Sequence, residues 1–336
     1  MREASEENIK KASDIIKNGG LVVMPTETVY GLGANALDRN AVTNVYKAKG
    51  RPMDNPLIVH IAKAEDAEKY AKTSELFYKL ADRFMPGPLT VIMPKKDIIP
   101  YEVTCGLDTV AIRVPSNETA HKLIEYSGCP IAAPSANLSG KPSPTSFEHV
   151  VEDMNGRVDA IINGGECTVG LESTVIILKK GESGEILRPG KVTYEDLKEI
   201  IPDITINNAV KNQCTDAKPA SPGMKYRHYA PQSPVFLIKG DEKKVIEFFK
   251  SKQNSENCGI LCFEEDLEYL SDKNTLSFGK HNDEDAQAHE LFDKLRTFDS
   301  LNVEKIYARI PSESGVGLAV YNRLIRAAGF EIIEIK

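Results

Sequence analysis

The chain has 336 residues, of which 41% are hydrophobic and 27% are charged, so its composition is typical of a globular protein of about two domains. The formal net charge of -7 argues against a protein that binds nucleic acid over a large surface, so any basic site must be local. Because it has no run of about 18 apolar residues and no signal-peptide-like N-terminal stretch, we expect a cytoplasmic protein without membrane spans.

The N-terminal segment predicts a helix, then a strand, then a polar loop. Ser5 can cap an amphipathic helix that stops at Gly19, with an apolar face formed by Ile9, Ala12 and Ile16. A strand over Leu21–Met24 should lead into the loop Pro25–Gly33, which is dense in hydroxyls and therefore a favoured place for ligand contacts. The segment Gly31–Ala36 matches a dinucleotide-binding fingerprint, but it begins too far beyond the strand for that function.

The next segment, Lys47–His60, carries three cations in its first five residues, upstream of a strand expected over Leu57–Ala62. In an extended loop, Lys49 and Arg51 would project to one side and could bind neighbouring phosphate oxygens. Each such contact is typically worth about 1.5 to 3 kcal/mol. A solvated basic turn between helix and strand is the alternative that this segment alone leaves open.

Polar groups recur at the ends of later predicted strands. Arg113 ends a strand over Thr109–Val114, and there it needs an anionic partner, either an internal carboxylate or a substrate carboxylate. Ser135 and Asn137 follow the apolar residues that start at Ile131 and share one side, unless they only satisfy their own backbone in a turn. Both positions are candidates for ligand binding.

The segment Ser139–Ser143 resembles the end of a P-loop, but the first glycine of that motif would fall at Ser135, so no Walker-type site is expected. Ser173 stands at the mouth of a further strand, and Arg188, taken alone, is expected to form a surface salt bridge. At least six strands interleaved with helices predict an α/β domain whose cleft is lined by loops.

The composition changes at about residue 207. Residues 207–233 are rich in proline, and Lys225–Tyr229 combines tyrosine, lysine, arginine and histidine more densely than a tether requires. From residue 234 onward, strand and helix patterns alternate and predict a parallel three-layer sheet. We therefore predict a catalytic domain over 1–206, a linker or lid over 207–233 and an accessory domain over 234–336. No pair of the six cysteines has C-x-x-C spacing, and Cys258 and Cys262, which are four apart, are expected to be buried thiols rather than metal ligands, so no metal site is expected.

Several motifs occur in a defined order along the chain: P-T-E-T-V-Y-G-L, K-x-R, N-P-L-x-x-H, P-G-P-x-T, R-x-P, A-P-S-A-N-x-S-G, S-T-V, R-P-G and S-P-G-M-x-x-x-H-Y-A-P. With these motifs, most of the first 231 residues resemble the threonylcarbamoyl-adenylate synthase family in its long, two-domain form. The resemblance implies an α/β fold: a YrdC-like twisted sheet around a large open cleft, joined to a smaller Rossmann-like domain.

The resemblance also implies a nucleotidyltransferase that makes threonylcarbamoyl-AMP and pyrophosphate from L-threonine, bicarbonate and ATP. The product would pass to a downstream transferase complex that modifies the adenosine beside the anticodon of certain tRNAs, and direct tRNA binding would be weak or absent. Mg²⁺ is expected on the triphosphate and would be held chiefly by the nucleotide.

By the same resemblance, Lys49 and Arg51 are the catalytic cations. The ATP site is expected to comprise Lys49, Arg51, Asn55, Thr109, Ser135, Asn137, Ser143, Arg188 and Tyr226. L-Threonine is expected to contact Thr28, His60, Arg113, Ala133 and Ser173, with Arg113 on its carboxylate. We also hypothesise that Lys225–Tyr229 closes over the loaded cleft as a lid that excludes water.

Two alternatives compete with this function. An open basic cleft could accept tRNA or double-stranded RNA without adenylation activity, but the net charge and the lack of a long basic stripe argue against it. The second alternative is carbamoyl transfer to another acceptor, as in hydrogenase-maturation proteins with a related domain. The acylphosphatase-like and zinc-finger segments of those proteins are missing here.

Overall fold

The computed structural model describes residues 3–179, 182–213, 228–270 and 273–336. These residues form two compact units, the first within 3–139 and 143–210, and the second within 140–142, 211–213 and 228–336. Tyr226 and most of Lys225–Tyr229 lie outside the described residues, so the lid hypothesis stays a prediction.

The first unit begins with helix α1 (Glu6–Lys17), whose ends lie where the sequence predicts them. The Ser5 hydroxyl oxygen accepts a 3.3 Å hydrogen bond from the backbone N–H of Asn8, which satisfies one of the unpaired donors at the helix start. After the helix, Gly19 adopts a φ of +82°, a left-handed conformation that glycine takes without steric cost. The predicted apolar face of α1 is buried.

The other helices of the first unit are short. They are α2 (Arg39–Lys49), α3 (Glu75–Phe84), α4 (Tyr101–Thr104), α5 (Glu118–Ser127), α6 (Phe147–Met154) and α7 (Tyr194–Lys198), with 3₁₀ turns at Ala64–Lys69 and Asn208–Val210. None of the helices in the described part of the chain combines the length and the apolar character needed to span a bilayer.

The strands of the first unit form one mixed sheet. In chain order they are β1 (Val22–Met24), β2 (Gly31–Asn35), β3 (Ile58–His60), β4 (Leu89–Pro94), β5 (Thr109–Arg113), β6 (Ile131–Ala132), β7 (Ala160–Ile161), β8 (Thr174–Lys179), β9 (Ser183–Arg188) and β10 (Thr205–Ile206). Across the sheet the order is β10-β9-β8-β4-β5-β3-β6-β2-β1-β7. At its centre, β3 is parallel to β5, and β4 is antiparallel to β5 and parallel to β8.

The two faces of this sheet carry different apolar clusters, because successive residues of a strand point to opposite faces. Val59, Val91 and Ile112 belong to the main core, which also contains Phe77 and Leu80 of α3. The alternate residues form a separate, small cluster of Ile58, Ile92, Ala111, Val175 and Leu187. The polar residues described below share the face of this small cluster.

The predicted loop Pro25–Gly33 is wrong at its end, because Gly31 already begins β2. This strand pairs antiparallel with β1 on one side and with β6 on the other. A Cβ atom on Gly33 would lie 2.9 Å from the side chain of Ile131, so the close approach of β2 and β6 depends on glycine. Gly33 therefore serves strand packing rather than dinucleotide binding.

The second unit confirms the predicted alternation of strands and helices. Its elements are β11 (Val235–Gly240), α8 (Glu242–Ser255), β12 (Cys258–Cys262), a 3₁₀ turn (Glu264–Glu268), β13 (Thr275–Ser277), α9 (Glu284–Leu301), β14 (Lys305–Arg309), α10 (Gly317–Ala327) and β15 (Ile332–Ile335). All its strands are parallel, in the order β13-β12-β14-β11-β15. The sequence analysis missed β13, which is only three residues long.

Candidate active site

A row of polar side chains crosses the middle of the first sheet. Strand pairing sets His60 of β3 opposite Arg113 of β5, and Arg113 opposite Thr90 of β4. Thr90 stands opposite Val175 of β8, which stands opposite Arg188 of β9. The register of β8 and β9 shifts directly after this pair, so strict alternation between Leu187 and Arg188 does not hold there. Directly paired residues point to the same face of a sheet. We call His60, Arg113, Thr90 and Arg188 the polar row.

At one end of the polar row, Arg188 is held by Ser173. Its Nε donates to the Ser173 carbonyl oxygen at 3.0 Å, and its Nη2 donates to the Ser173 hydroxyl at 3.1 Å. That hydroxyl also lies 2.8 Å from the hydroxyl of Thr90. Arg188 is only 6% exposed, so the surface salt bridge expected for it is wrong. The physical reason is that the Arg188 guanidinium lies against Ser173, which precedes β8, inside the first unit.

At the centre of the polar row, Arg113 is 4% exposed and has an internal anionic partner. Its Nη2 donates to Oε1 of Glu27 at 2.7 Å, and its Nε donates to the carbonyl oxygen of Gly87 at 3.3 Å. Burial raises the pKa of Glu27, but the charge and hydrogen bond of Arg113 outweigh it, so that pKa lies below its ordinary value. Glu27 is thus the internal carboxylate that was one of the two alternatives for Arg113.

At the other end of the polar row, His60 is buried and neutral. Burial, and then the positive charge of Arg113, lower the pKa of His60 to about 3, although Glu27 opposes the shift. Its Nδ1 is buried and makes no hydrogen bond with the residues that the structure describes. A neutral imidazole can exchange hydrogen bonds with a ligand without adding charge to the site.

A second polar group, which we call the lysine clasp, consists of Lys49, Ser135 and Asn137. The Lys49 ammonium donates to the backbone carbonyl of Ser135, and to the backbone and side-chain oxygens of Asn137 at 2.7 and 3.3 Å. The Ser135 hydroxyl donates to the side-chain oxygen of Asn137. The clasp therefore joins the predicted K-x-R and S-A-N motifs through one buried cation.

The extended loop predicted for Lys49 and Arg51 is wrong. Lys49 is the last residue of α2, and Gly50 then turns the chain with a φ of +62°. Lys47 lies two positions earlier on the helix and is exposed, because residues two apart point to nearly opposite sides. Arg51 follows the turn, and its Nη2 donates to the carbonyl oxygen of Asn55 at 2.8 Å.

The polar row and the lysine clasp lie at two levels along β3. β3 and β5 run parallel and end at His60 and Arg113. β6 runs antiparallel to β3, and the Ala133 N–H donates to the Ile58 carbonyl at 2.9 Å, so the following loop leads towards the start of β3. Thr109 begins β5, four residues or about 13 Å before Arg113, on the same face. The lysine clasp thus lies beyond the start of β3, and His60 and Arg113 of the polar row lie at the ends of β3 and β5.

Further predicted site residues lie outside the polar row and the lysine clasp. The Thr28 hydroxyl lies 2.9 Å from that of Thr26, and the Ser143 hydroxyl donates to Glu172 at 2.5 Å. Asn55 is buried, and its Oδ1 makes no hydrogen bond with the residues that the structure describes. Tyr226 lies outside the described residues, so its place in the ATP site stays a prediction.

Sequence reasoning missed three polar residues that the structure places among these side chains: Glu27, Thr90 and Glu172. Glu27 and Thr90 belong to the motifs P-T-E-T and P-G-P-x-T, so a polar residue within a motif was the available signal.

Comparison with known proteins identifies the family of this chain. The family described as "Telomere recombination" matches residues 14–190, and "Threonylcarbamoyl-AMP synthase, C-terminal domain" matches residues 192–329. A threonylcarbamoyl-AMP synthase of Pyrococcus abyssi is 47% identical and covers 100% of this chain and 98% of the relative. One of Bacillus subtilis is 43% identical and covers 98% and 95%.

A solved structure is similar over the same length. The crystal structure of P. abyssi Sua5 complexed with L-threonine has a TM-score of 0.91 and 46% sequence identity, and the match covers 100% of this chain and 98% of that one. Family matches, full-length relatives and this likeness all agree. The chain therefore belongs to the threonylcarbamoyl-AMP synthase family.

Proposed function

We propose that this chain is a nucleotidyltransferase that converts L-threonine, bicarbonate and ATP into threonylcarbamoyl-AMP and pyrophosphate. The observation that carries the proposal is the placement of two groups with buried cations at two levels along β3, the lysine clasp beyond the start of that strand and the polar row at its end. The distance of about 13 Å between the two levels lets an amino acid at one end meet the phosphates of a nucleotide at the other.

L-Threonine would bind at the polar row. Arg113 would hold its carboxylate, and the contacts around the rest of the amino acid would come from Thr28, His60, the Ala133 backbone and Ser173. Because the pKa of His60 is about 3, a neutral imidazole would face the threonine hydroxyl. A site that hydrogen-bonds a hydroxyl strongly rejects analogues that lack it, so valine should be excluded.

ATP would bind at the lysine clasp and at residues that extend from it towards the polar row. Lys49 and Arg51 would act on the phosphates, and the remaining contacts would come from Asn55, Thr109, Ser135, Asn137, Ser143, Arg188 and Tyr226. Arg188 contacts Ser173, which we place at threonine, so Arg188 would stand at the junction of the two substrates. A cation there is suited to the α-phosphate, where the two substrates react.

The chemical step joins two anions. The amino nitrogen of threonine first forms a bond to the carbon of bicarbonate, and loss of water gives the carbamate. A carbamate oxygen then attacks the α-phosphorus, and the bond from that phosphorus to the pyrophosphate oxygen breaks. Arginine and lysine side chains can hold both anions and stabilise the charge that develops on the phosphate. This mechanism requires no covalent intermediate on the protein.

Mg²⁺ would enter with ATP. In the described part of the chain, no group of three or more histidine, cysteine, aspartate or glutamate side chains is arranged to hold a metal ion. Oxygens of the triphosphate and water would supply the ligands of the ion. The product would pass, in the cytoplasm, to a separate tRNA-modifying transferase complex, with direct tRNA binding weak or absent.

Pyrophosphate release tests the proposal. The full chain is incubated with ATP, Mg²⁺, bicarbonate and one amino acid at a time, and release is expected with L-threonine only. A variant with Lys49, Arg51 and Arg113 all changed to alanine should lose this release, whereas Lys47→Ala, which changes an exposed lysine, should keep it. Undiminished release by a folded triple variant would contradict the proposal.

A further inference from the structure

Glu27 forms a buried ion pair that the reaction described above does not use. Its Oε1 lies 2.7 Å from Nη2 of Arg113, and the side chains of Glu27 and Arg113 are 9% and 4% exposed. The two residues are 86 positions apart in the chain, so only the fold brings them together. A buried pair of this kind is not by itself a source of stability, because removing two charges from water is costly.

The ion pair restricts the orientation of the Arg113 guanidinium. That group is planar and presents its five N–H donors in a rigid fork. Glu27 accepts from Nη2 and the Gly87 carbonyl accepts from Nε, so the protein occupies two of the three nitrogens. The third nitrogen, Nη1, makes no hydrogen bond with the described residues. Because the fork is rigid, holding Nε and Nη2 also determines the direction of Nη1.

The segment that carries Glu27 is itself held in place. The Glu27 carbonyl oxygen accepts hydrogen bonds from the Val169 N–H at 2.8 Å and from the Thr168 hydroxyl at 3.4 Å. One residue earlier, the Thr26 hydroxyl donates to the Val29 carbonyl at 2.6 Å. A carboxylate on such a restrained turn can act as a fixed partner for Arg113 rather than a mobile one.

The negative charge of Glu27 also balances the positive charge of Arg113. His60 lies opposite Arg113 in the paired strands and is neutral, so Glu27 supplies the negative charge that balances the buried guanidinium. With this balance, the pair has no net charge, and a zwitterionic amino acid can bind beside it without leaving an uncompensated charge.

We propose that Glu27 is a positioning residue for amino-acid binding: its carboxylate orients the Arg113 guanidinium so that Nη1 meets the carboxylate of the substrate. This inference rests on the function proposed above, in which Arg113 binds the carboxylate of L-threonine. Glu27 itself does not contact the substrate carboxylate, and the effect of its removal passes through Arg113.

The test compares two ligands that differ only at the carboxylate. Calorimetric dissociation constants are measured for L-threonine and for L-threoninol, in which a CH₂OH group replaces the carboxylate. The full-length proteins are the wild type, Glu27→Gln, Glu27→Asp and the control Glu166→Gln, which makes the same chemical change at an exposed glutamate. The ATP dissociation constant and the urea unfolding midpoint of each protein show whether it is folded.

We expect Glu27→Gln to weaken L-threonine binding about tenfold, since a neutral hydrogen bond to Arg113 replaces a charge-assisted one. L-Threoninol and ATP binding should change less than twofold. Glu27→Asp, which keeps the charge, should recover part of the loss, and Glu166→Gln should behave as the wild type.

Equal losses for L-threonine and L-threoninol in Glu27→Gln would overturn the inference, because the effect would then not pass through the carboxylate. Unchanged L-threonine binding in that variant would overturn it too. These results differ from a failure of the proposed function, in which the wild type would neither bind L-threonine nor release pyrophosphate with it.

Discussion

Acid should destabilise the first unit through one histidine, His60. The folded protein holds this residue neutral, with a pKa of about 3 that burial and then the charge of Arg113 bring about. In the unfolded chain a histidine titrates near pH 6.5. Below that pH the unfolded chain binds a proton that the folded protein does not, so stability falls with pH between about 6.5 and 3, and the effect is absent above that interval.

The size of the effect follows from the two pKa values. Each unit of pH well inside that interval costs about 1.4 kcal/mol of unfolding free energy, so a change from pH 7 to pH 5 costs about 2 kcal/mol. The carboxyl group of Glu27, whose pKa is lowered in the fold, loses its contribution only at lower pH. An unfolded glutamate is still mostly ionised at pH 5, so Glu27 adds little to the loss in this range.

Urea unfolding followed by far-ultraviolet circular dichroism at pH 7 and pH 5 measures this loss. The wild type is compared with His60→Gln, which cannot take up the proton, and with His121→Gln, which changes a partly exposed histidine in the same unit. We expect the wild type and His121→Gln to lose about 2 kcal/mol more than His60→Gln. The same loss in all three proteins would refute the reasoning.

Three further predictions concern single side chains. Lys49→Met removes a buried ammonium and its hydrogen bonds to the lysine clasp, so it should lower the unfolding free energy by about 3 kcal/mol and weaken ATP binding at least about tenfold, as urea unfolding and calorimetry would show. Asp266→Ala leaves Arg309 buried without the carboxylate that it now contacts twice at 2.8 Å, which should cost about 3 to 5 kcal/mol in urea unfolding. The double change Asp266→Ala with Arg309→Met should recover most of that loss, and no recovery would show that the charge is not the cause. Ser74→Ala removes the N-cap of α3 and should cost about 1 kcal/mol, whereas Ser74→Thr should keep most of the stability; equal values for the two variants would contradict the capping role.

Elements whose ends depend on neighbouring residues could be predicted from the sequence. α1 begins at the Ser5 cap and stops before Gly19, as expected. The alternation of strands and helices in the second unit was also visible, because each element there carries its own hydrophobic pattern. The motifs identified the family, which the full-length relatives confirm.

Predictions that depended on the distant surroundings of a residue were less successful. Arg188 looked like a surface residue because its local sequence does not reveal its contacts with Ser173, 15 residues earlier in the chain. Lys49 was placed in an extended loop, although Gly50 ends a helix directly after it. Glu27 was overlooked because its partner, Arg113, lies 86 residues further along the chain.

The amino-acid sequence by itself determined the kinds of side chain available for binding, their order along the chain and most of the local elements that carry them. Only the tertiary structure decided that His60, Arg113, Thr90 and Arg188 lie in one row and that Glu27 orients towards Arg113. The physical reason is that strand register is a long-range property. A shift of one residue would turn a strand's side chains to the other face of the sheet, and packing of the whole core excludes that shift.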